Sequence, residues 1–291
     1  HARPDGDWGK SALMTTPHLL ASPLLRSAGF PHTFTTRQGG VSAGAYASLN
    51  LGRGVDDDPE AVRANRTLVA RALGLDPDRH VEADQVHGAV VAVVGAAQAG
   101  RSMPDVDGLA AAEPGTVVAV HAADCVPLLL ADPKRGAVSA VHAGWRGTAA
   151  GIAVQAVRVL AERLGSDPED LLVAIGPAIG PCHYEVDEPV LERMRRWPWW
   201  DQVAVPNGGG RWQLDLQAAN RRQLLESGVR PGHIDVLALC TYHHPDLFYS
   251  HRRDRVTGRM AAMIAVPDGA SPCPNPAGDG GGPEPGAEQM D

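Results

Sequence analysis

Between Thr116 and Val141 the chain carries three apolar, β-branched-rich runs in close succession. Thr116–Val120 and Val126–Leu130 are separated by Asp124-Cys125, and Asp132-Pro133-Lys134-Arg135-Gly136 turns the chain back into Ala137–Val141. Short apolar runs bounded by turn residues read as strands, so 126–141 is expected to form a hairpin. A helical period follows almost at once. Ala149, Ile152, Ala153, Ala156, Val157, Leu160 and Leu164 share one face at spacings of three and four, which predicts a helix over Gly147–Leu164 stopped by Gly165. Paired strands that feed directly into a long amphipathic helix point to an α+β fold with mixed sheets.

The remaining pattern agrees with that class. Asp58-Pro59-Glu60 supplies an N-cap, a proline at the first helical position and an acid at the positive dipole end. The helix it opens should run to about Leu73, with Gly74 as its stop. Further helices are expected over Glu188–Arg195 and Asp215–Ser227, and strands over Val90–Val94, Leu171–Ile175, Ile234–Leu239, Leu247–Ser250 and Met260–Val266. Pro198–Arg211, with a Trp pair and three glycines, reads as a surface loop. No internal repeat or linker interrupts 17–266, which is taken as one domain. Residues 1–16 and 267–291 read as tails, the latter a Pro/Gly/acid mixture with too little apolar surface to offset its ordering entropy. Cys273 falls in that tail and reads as incidental.

Composition narrows the function classes. The 291 residues include 26 Lys and Arg against 34 Asp and Glu, a net charge of −8 that offers no basic face to nucleic acid. No apolar run is long enough to span a bilayer, and the first residues lack a basic, apolar, small-residue signal pattern. The four cysteines are scattered, with no CxxC pair. A cytoplasmic location and a small-molecule partner are expected, with no nucleic acid and no membrane.

Three short segments carry the chemistry: Gln85-Val86-His87-Gly88, Ala123-Asp124-Cys125-Val126-Pro127, and Val141-His142-Ala143-Gly144-Trp145-Arg146-Gly147-Thr148. Each puts a His or Cys at the end of a strand-like run, where a rigid scaffold meets a loop. Two His and one Cys can form a three-ligand zinc site with its fourth position open. The separations, 38 and 17 residues, match no compact metal motif, so a core histidine and an inert buried cysteine remain the competing reading. Arg146 before a helix start at Gly147 suits an anion, or is a solvated turn residue. Asp105 and Asp107 read as a metal loop or a turn, and Thr36–Gly40 as an anion loop lacking the P-loop ending. Cys182-His183, after two Gly-Pro pairs, reads as a turn, with a ligand or nucleophile role as the alternative, His243-His244 reads as loop, and Ser250–Asp254 as a site edge or a charged strand exit.

Taken together, FTTRQGGVS (34–42), SLNLG (48–52), VDDDPEAVRANR (55–66), QVHG (85–88), DVDGL (105–109), ADCVPLLLADP (123–133), VSAVHAGWRGT (138–148), AIGPAIGPCHYEV (174–186), DLQAANRRQL (215–224) and FYSHRRDRVTGR (248–259) closely resemble the YfiH/DUF152 family. That family also goes by the names multicopper polyphenol oxidoreductase, peptidoglycan editing factor and purine nucleoside phosphorylase. The likeness covers residues 30–266 in family order. It implies a layered α/β/β/α sandwich with mixed sheets, and one metal held by His87, Cys125 and His142. It suggests Arg37 and Arg146 as substrate or phosphate contacts. The chain departs from many members at His183, where they carry a second cysteine.

The family names disagree on the reaction. Multicopper oxidation calls for several coppers and His-x-His or His-Cys-His ligand runs, and the sequence has neither. Cu2+ could still occupy the site in vitro and give weak polyphenol oxidation. The resemblance favours Zn2+-dependent purine nucleoside chemistry: phosphorolysis of adenosine, inosine, guanosine or methylthioadenosine, and deamination of adenosine. Asp124 is one candidate proton carrier, or merely an oriented turn residue. The alternative is a hydrolase editing a peptidoglycan precursor, with Cys125 as nucleophile. A monomer or weak homo-oligomer is expected.

Overall fold

A computed structural model describes residues 16–269. The expected tails, 1–16 and 267–291, lie almost wholly outside those residues, as does Cys273.

Two six-stranded mixed sheets stack face to face. Across the first lie Leu19–Leu20, His32–Thr35, Met260–Ala265, Val117–Ala122, His80–Ala83 and Ser102–Met103. Across the second lie Ile234–Val236, Leu172–Ile175, Val126–Ala131, Val138–Ala143, Gly108–Ala111 and Val91–Val93. Side-chain alternation explains the stacking. In the first sheet Val118 and Val120 point into the inter-sheet core, while Val117 and Ala119 pack beneath helix Pro59–Ala72. In the second, Leu129 and Ala131 face the other sheet, while Val126, Leu128 and Leu130 face helices Ile152–Leu164 and Leu216–Glu226. Both faces of each sheet are covered, so the strands are apolar throughout rather than alternating. The result is the expected helix, sheet, sheet, helix layering. A small antiparallel sheet of Glu185–Val186, Trp212–Leu214 and Ala204–Pro206 flanks it.

The expected hairpin is present, with Val126 paired to Ala143 and Ala131 to Val138. Asp58 caps its helix by accepting from the Glu60 N–H at 3.0 Å. Three expectations need correction. The helix placed at Gly147–Leu164 is two helices, Trp145–Ala150 and Ile152–Leu164, because Gly151 adopts φ +85° beneath the Trp197 ring. A glycine can break a helix there without interrupting the apolar period. Leu247–Ser250 is not a strand: Arg37 N–H bonds Leu247 O, and the Tyr249 N–H points at Met260 Sδ, so no ladder forms. The expected loop at Pro198–Arg211 holds a buried Trp199, helix Trp200–Val203 and strand Ala204–Pro206, leaving only a tight glycine turn near its end.

Candidate metal centre

Strand register brings the predicted residues together. Gly108–Ala111, Val138–Ala143 and Val126–Ala131 are neighbours in one sheet. Gly108 pairs with Val141 and Pro127 with His142, so Asp107, His142 and Cys125 emerge at the same sheet edge. The 17-position separation of Cys125 and His142 is therefore one hairpin. The ligand atoms of His87, Cys125 and His142 all lie within 4.8 Å of one another.

His87 arrives from a loop fixed in two ways. Gln85 donates to His121 O and accepts from His121 N–H, both at 2.7 Å, docking the loop on the first sheet. The fully buried Asp107 carboxylate accepts from Val86, His87 and Gly88 N–H at 3.2, 2.9 and 2.6 Å. Those bonds hold His87 at φ +60°, a conformation that costs a non-glycine residue energy unless its surroundings impose it. Asp107 also accepts from His142 Nδ1 at 2.8 Å, which leaves the other ring nitrogen of His142 for Cys125 or a metal. The His87 and His142 rings meet edge to face, 4.9 Å between centroids.

Electrostatics favours a thiolate. Burial alone would raise the Cys125 pKa, yet the attraction and hydrogen bonds of His142, and then those of His87, bring it down to about 6. The same burial would lower His142, but the Cys125 thiolate and Asp107 push it up to about 9. At neutral pH the pair rests as thiolate and imidazolium, until a cation replaces the proton.

The donor set fits a metal. Thiolate plus two imidazoles is a borderline-soft set suited to zinc or copper. Gly144, opposite Cys125, leaves the space open: a Cβ there would lie 3.0 Å from Cys125 Sγ and 3.1 Å from His87 Cδ2.

The three side chains line an open cleft of about 780 Å³. Four arginines, Arg53, Arg146, Arg252 and Arg259, and four acids, Glu82, Asp84, Asp105 and Asp124, also line it. Arg146 stacks on Trp145 at 4.4 Å, and no protein hydrogen bond holds its guanidinium among the described residues. Its helix starts at Trp145, not at Gly147; Gly147 is buried against Gly88 O instead, a packing position.

Arg37 does not line the cleft. Its Nε donates to Ala47 O at 2.9 Å and its NH1 to Pro245 O at 3.1 Å, and it lies over the Tyr249 ring. It ties loops together. Asp124, at φ +96°, lines the cleft and also anchors loops: Thr241 Oγ1 and Arg252 N–H each donate to it at 2.6 Å, one to each oxygen. In the charged segment after Tyr249, His251 and Arg252 reach the cleft, whereas Arg253 turns away to bond Thr241, Tyr242 and Phe248 carbonyls. Asp107, Gly144 and the Gln85 clamp escape sequence reasoning; the Asp105–Gly108 motif was the available signal for the first.

A family model described as multi-copper polyphenol oxidoreductase laccase matches residues 31–267. A protein of Geobacillus stearothermophilus named purine nucleoside phosphorylase YlmD is 44% identical over 252 residues, covering 81% of this chain and 90% of its own. A purine nucleoside phosphorylase of Streptomyces coelicolor is 46% identical over 232 residues, 79% of this chain and 93% of its own. Among solved structures, YlmD from Geobacillus stearothermophilus superposes with a TM-score of 0.82 at 40% identity, covering 87% of this chain and all of that one. A Neisseria meningitidis DUF152 protein does so at 0.76 and 36% identity, covering 87% and 99%. No helix among the described residues is long and apolar enough to cross a membrane.

Proposed function

The chain belongs to the multi-copper polyphenol oxidoreductase laccase family, and within it we propose that this protein is a zinc-dependent purine nucleoside enzyme. The reactions assigned are phosphorolysis of adenosine, inosine, guanosine and methylthioadenosine, and deamination of adenosine. The observation that carries this reading is the convergence of His87, Cys125 and His142 on one point of a cleft that Arg146 also lines. The relatives named purine nucleoside phosphorylase support the substrate class.

Three protein donors leave a coordination position for a reactant, unlike structural zinc, which is usually closed by four. Zinc held there supplies Lewis-acid polarisation and makes water a usable nucleophile, the chemistry that attack at purine C6 requires. The chain's own groups do the rest. Asp107 keeps His142 in one tautomer. Arg146, with a free guanidinium beside the ligands, is assigned to phosphate, which its planar fork suits. That guanidinium also offsets the anionic charge of phosphate as the glycosidic bond breaks. Cys125, Cys182 and Cys240 are free thiols, which suits the cytoplasm as the compartment.

One observation favours a second reading. Cys125, His142 and Asp107 stand in line as thiolate, imidazolium and orienting carboxylate, the order of a cysteine hydrolase. That arrangement would serve amide hydrolysis in a peptidoglycan precursor. A metal-ligated thiolate is a poor free nucleophile, so metal content separates the two. The test incubates purified protein with adenosine, with and without phosphate, and identifies products by chromatography. The proposal expects adenine with ribose phosphate, and inosine or hypoxanthine from the deaminating branch. His87→Ala, Cys125→Ala and His142→Ala should each lose one zinc per chain together with both activities. Full activity in metal-free Cys125→Ala protein would overturn it.

A further inference from the structure

Away from the cleft, two turns bring a second set of metal donors together. One turn closes with His183 and Tyr184 N–H bonding Gly180 O, the other with His244 N–H bonding Cys240 O. An isolated bridge pairs Ala178 with Cys240, and Thr241 N–H bonds Ala178 O, so the backbone fixes the turns side by side. The Cys182 and Cys240 sulfurs and one His183 ring nitrogen all lie within 4.8 Å of one another. His183 Nδ1 stands 3.1 Å from Cys182 Sγ and 3.8 Å from Cys240 Sγ, facing both. Tyr242 stacks on the His183 ring at 4.3 Å and sets its plane. Gly180 N–H donates to Cys240 Sγ at 3.3 Å, the kind of bond that stabilises a thiolate ligand. Gly180 packs directly against both sulfurs, a Cβ there lying 3.4 and 3.6 Å from them. None of the three side chains lines the cleft.

We propose that Cys182, His183 and Cys240 form a second zinc site, distinct from the cleft. Two thiolates and one imidazole are a softer set than the first centre, suited to a thiophilic d10 cation. Binding releases the two thiol protons to solvent and forms two Zn–S bonds and one Zn–N bond, with no change of oxidation state. The site would clasp the 180–184 turn to the 240–244 turn behind Tyr184, which does line the cleft. The inference does not depend on the reaction assigned above.

The test counts zinc in full-length protein purified with reductant and saturated with Zn2+. About two zinc ions per chain are expected in the wild type, and about one each in Cys182→Ser and in Cys125→Ala. Cys182 is exposed, so its serine variant leaves the fold intact. Cobalt replacement gives a second readout. Cys182→Ser/Cys240→Ser should lose about two thirds of the thiolate-to-cobalt absorbance, and Cys125→Ala about one third, in proportion to the thiolates removed. One zinc in both wild type and Cys182→Ser overturns the proposal, as does a Cys182–Cys240 disulfide whose reduction brings no zinc uptake.

Discussion

Asp107 accepts a hydrogen bond from His142 Nδ1 at 2.8 Å while three consecutive N–H groups of the His87 loop converge on the same carboxylate. One buried anion thus aims one candidate ligand and shapes the loop that presents another. Asp107→Asn replaces an acceptor oxygen by an amide donor and removes the charge that favours the His142 tautomer. Zinc affinity at the cleft should fall roughly 10- to 100-fold, the usual cost of losing such a partner. A chelator competition on the purified variant checks it. Unaltered affinity would make Asp107 only a loop brace.

Gly144 gives a cleaner separation of site from fold. Its backbone, at φ −70° and ψ 170°, is open to any residue, so alanine adds no backbone strain. The added methyl instead meets Cys125 and His87 at about 3 Å. Gly144→Ala should lose most of the cleft zinc and the activity with it, while the melting temperature of the metal-free protein stays within a few degrees. Full zinc content would mean the ligands can move apart without cost.

Two arginines that look alike in sequence should behave differently. Arg146→Ala removes a guanidinium with no protein hydrogen bond, so the KM for phosphate should rise about 10-fold, the scale of one charge-assisted contact, with a smaller change for adenosine. Arg37→Ala breaks two bonds to carbonyls and a stack on Tyr249. It should lower the melting temperature and leave the phosphate dependence alone. Phosphate saturation curves for both variants decide the matter; a selective phosphate effect in Arg37→Ala would reverse the assignment.

Those arginines show where sequence stops being legible. His87, Cys125 and His142 could be singled out because each ends an apolar run, and the hairpin that joins the last two was readable from its turn. Asp107 was harder, because its role rests on a register: only pairing Gly108 with Val141 brings it beside His142. That Arg37 binds the carbonyls of Ala47 and Pro245 has no local signature either. Gly151 hid a helix break for a related reason. The apolar period runs through it, and the Trp197 ring that packs on it is distant in sequence. Leu247–Ser250 has strand-like composition, but its backbone partners are elsewhere. Local pattern fixed the layers, and long-range pairing decided the details.

Acid stability should follow His32 and His80, both buried, and His121, half-buried at the cleft. His32, His80 and His121 all sit below the ordinary imidazole pKa, chiefly because burial disfavours the cation, and His121 is brought down to about 4. Around His121 stand Glu82, which opposes the shift, and Arg66, Arg53 and His142, which add to it. A folded-state pKa below the unfolded value near 6.5 means the unfolded chain takes up the proton first. Their contribution is therefore complete above pH 6.5 and is withdrawn as pH falls toward 4. His121 alone should remove on the order of 2 kcal/mol across that window. Urea denaturation between pH 7.5 and 4.5 measures it, in a Cys125→Ala background so that metal release from the cleft adds nothing. His121→Gln should flatten the slope appreciably. An unchanged slope would pass the acid sensitivity to His32, His80 and the carboxylates.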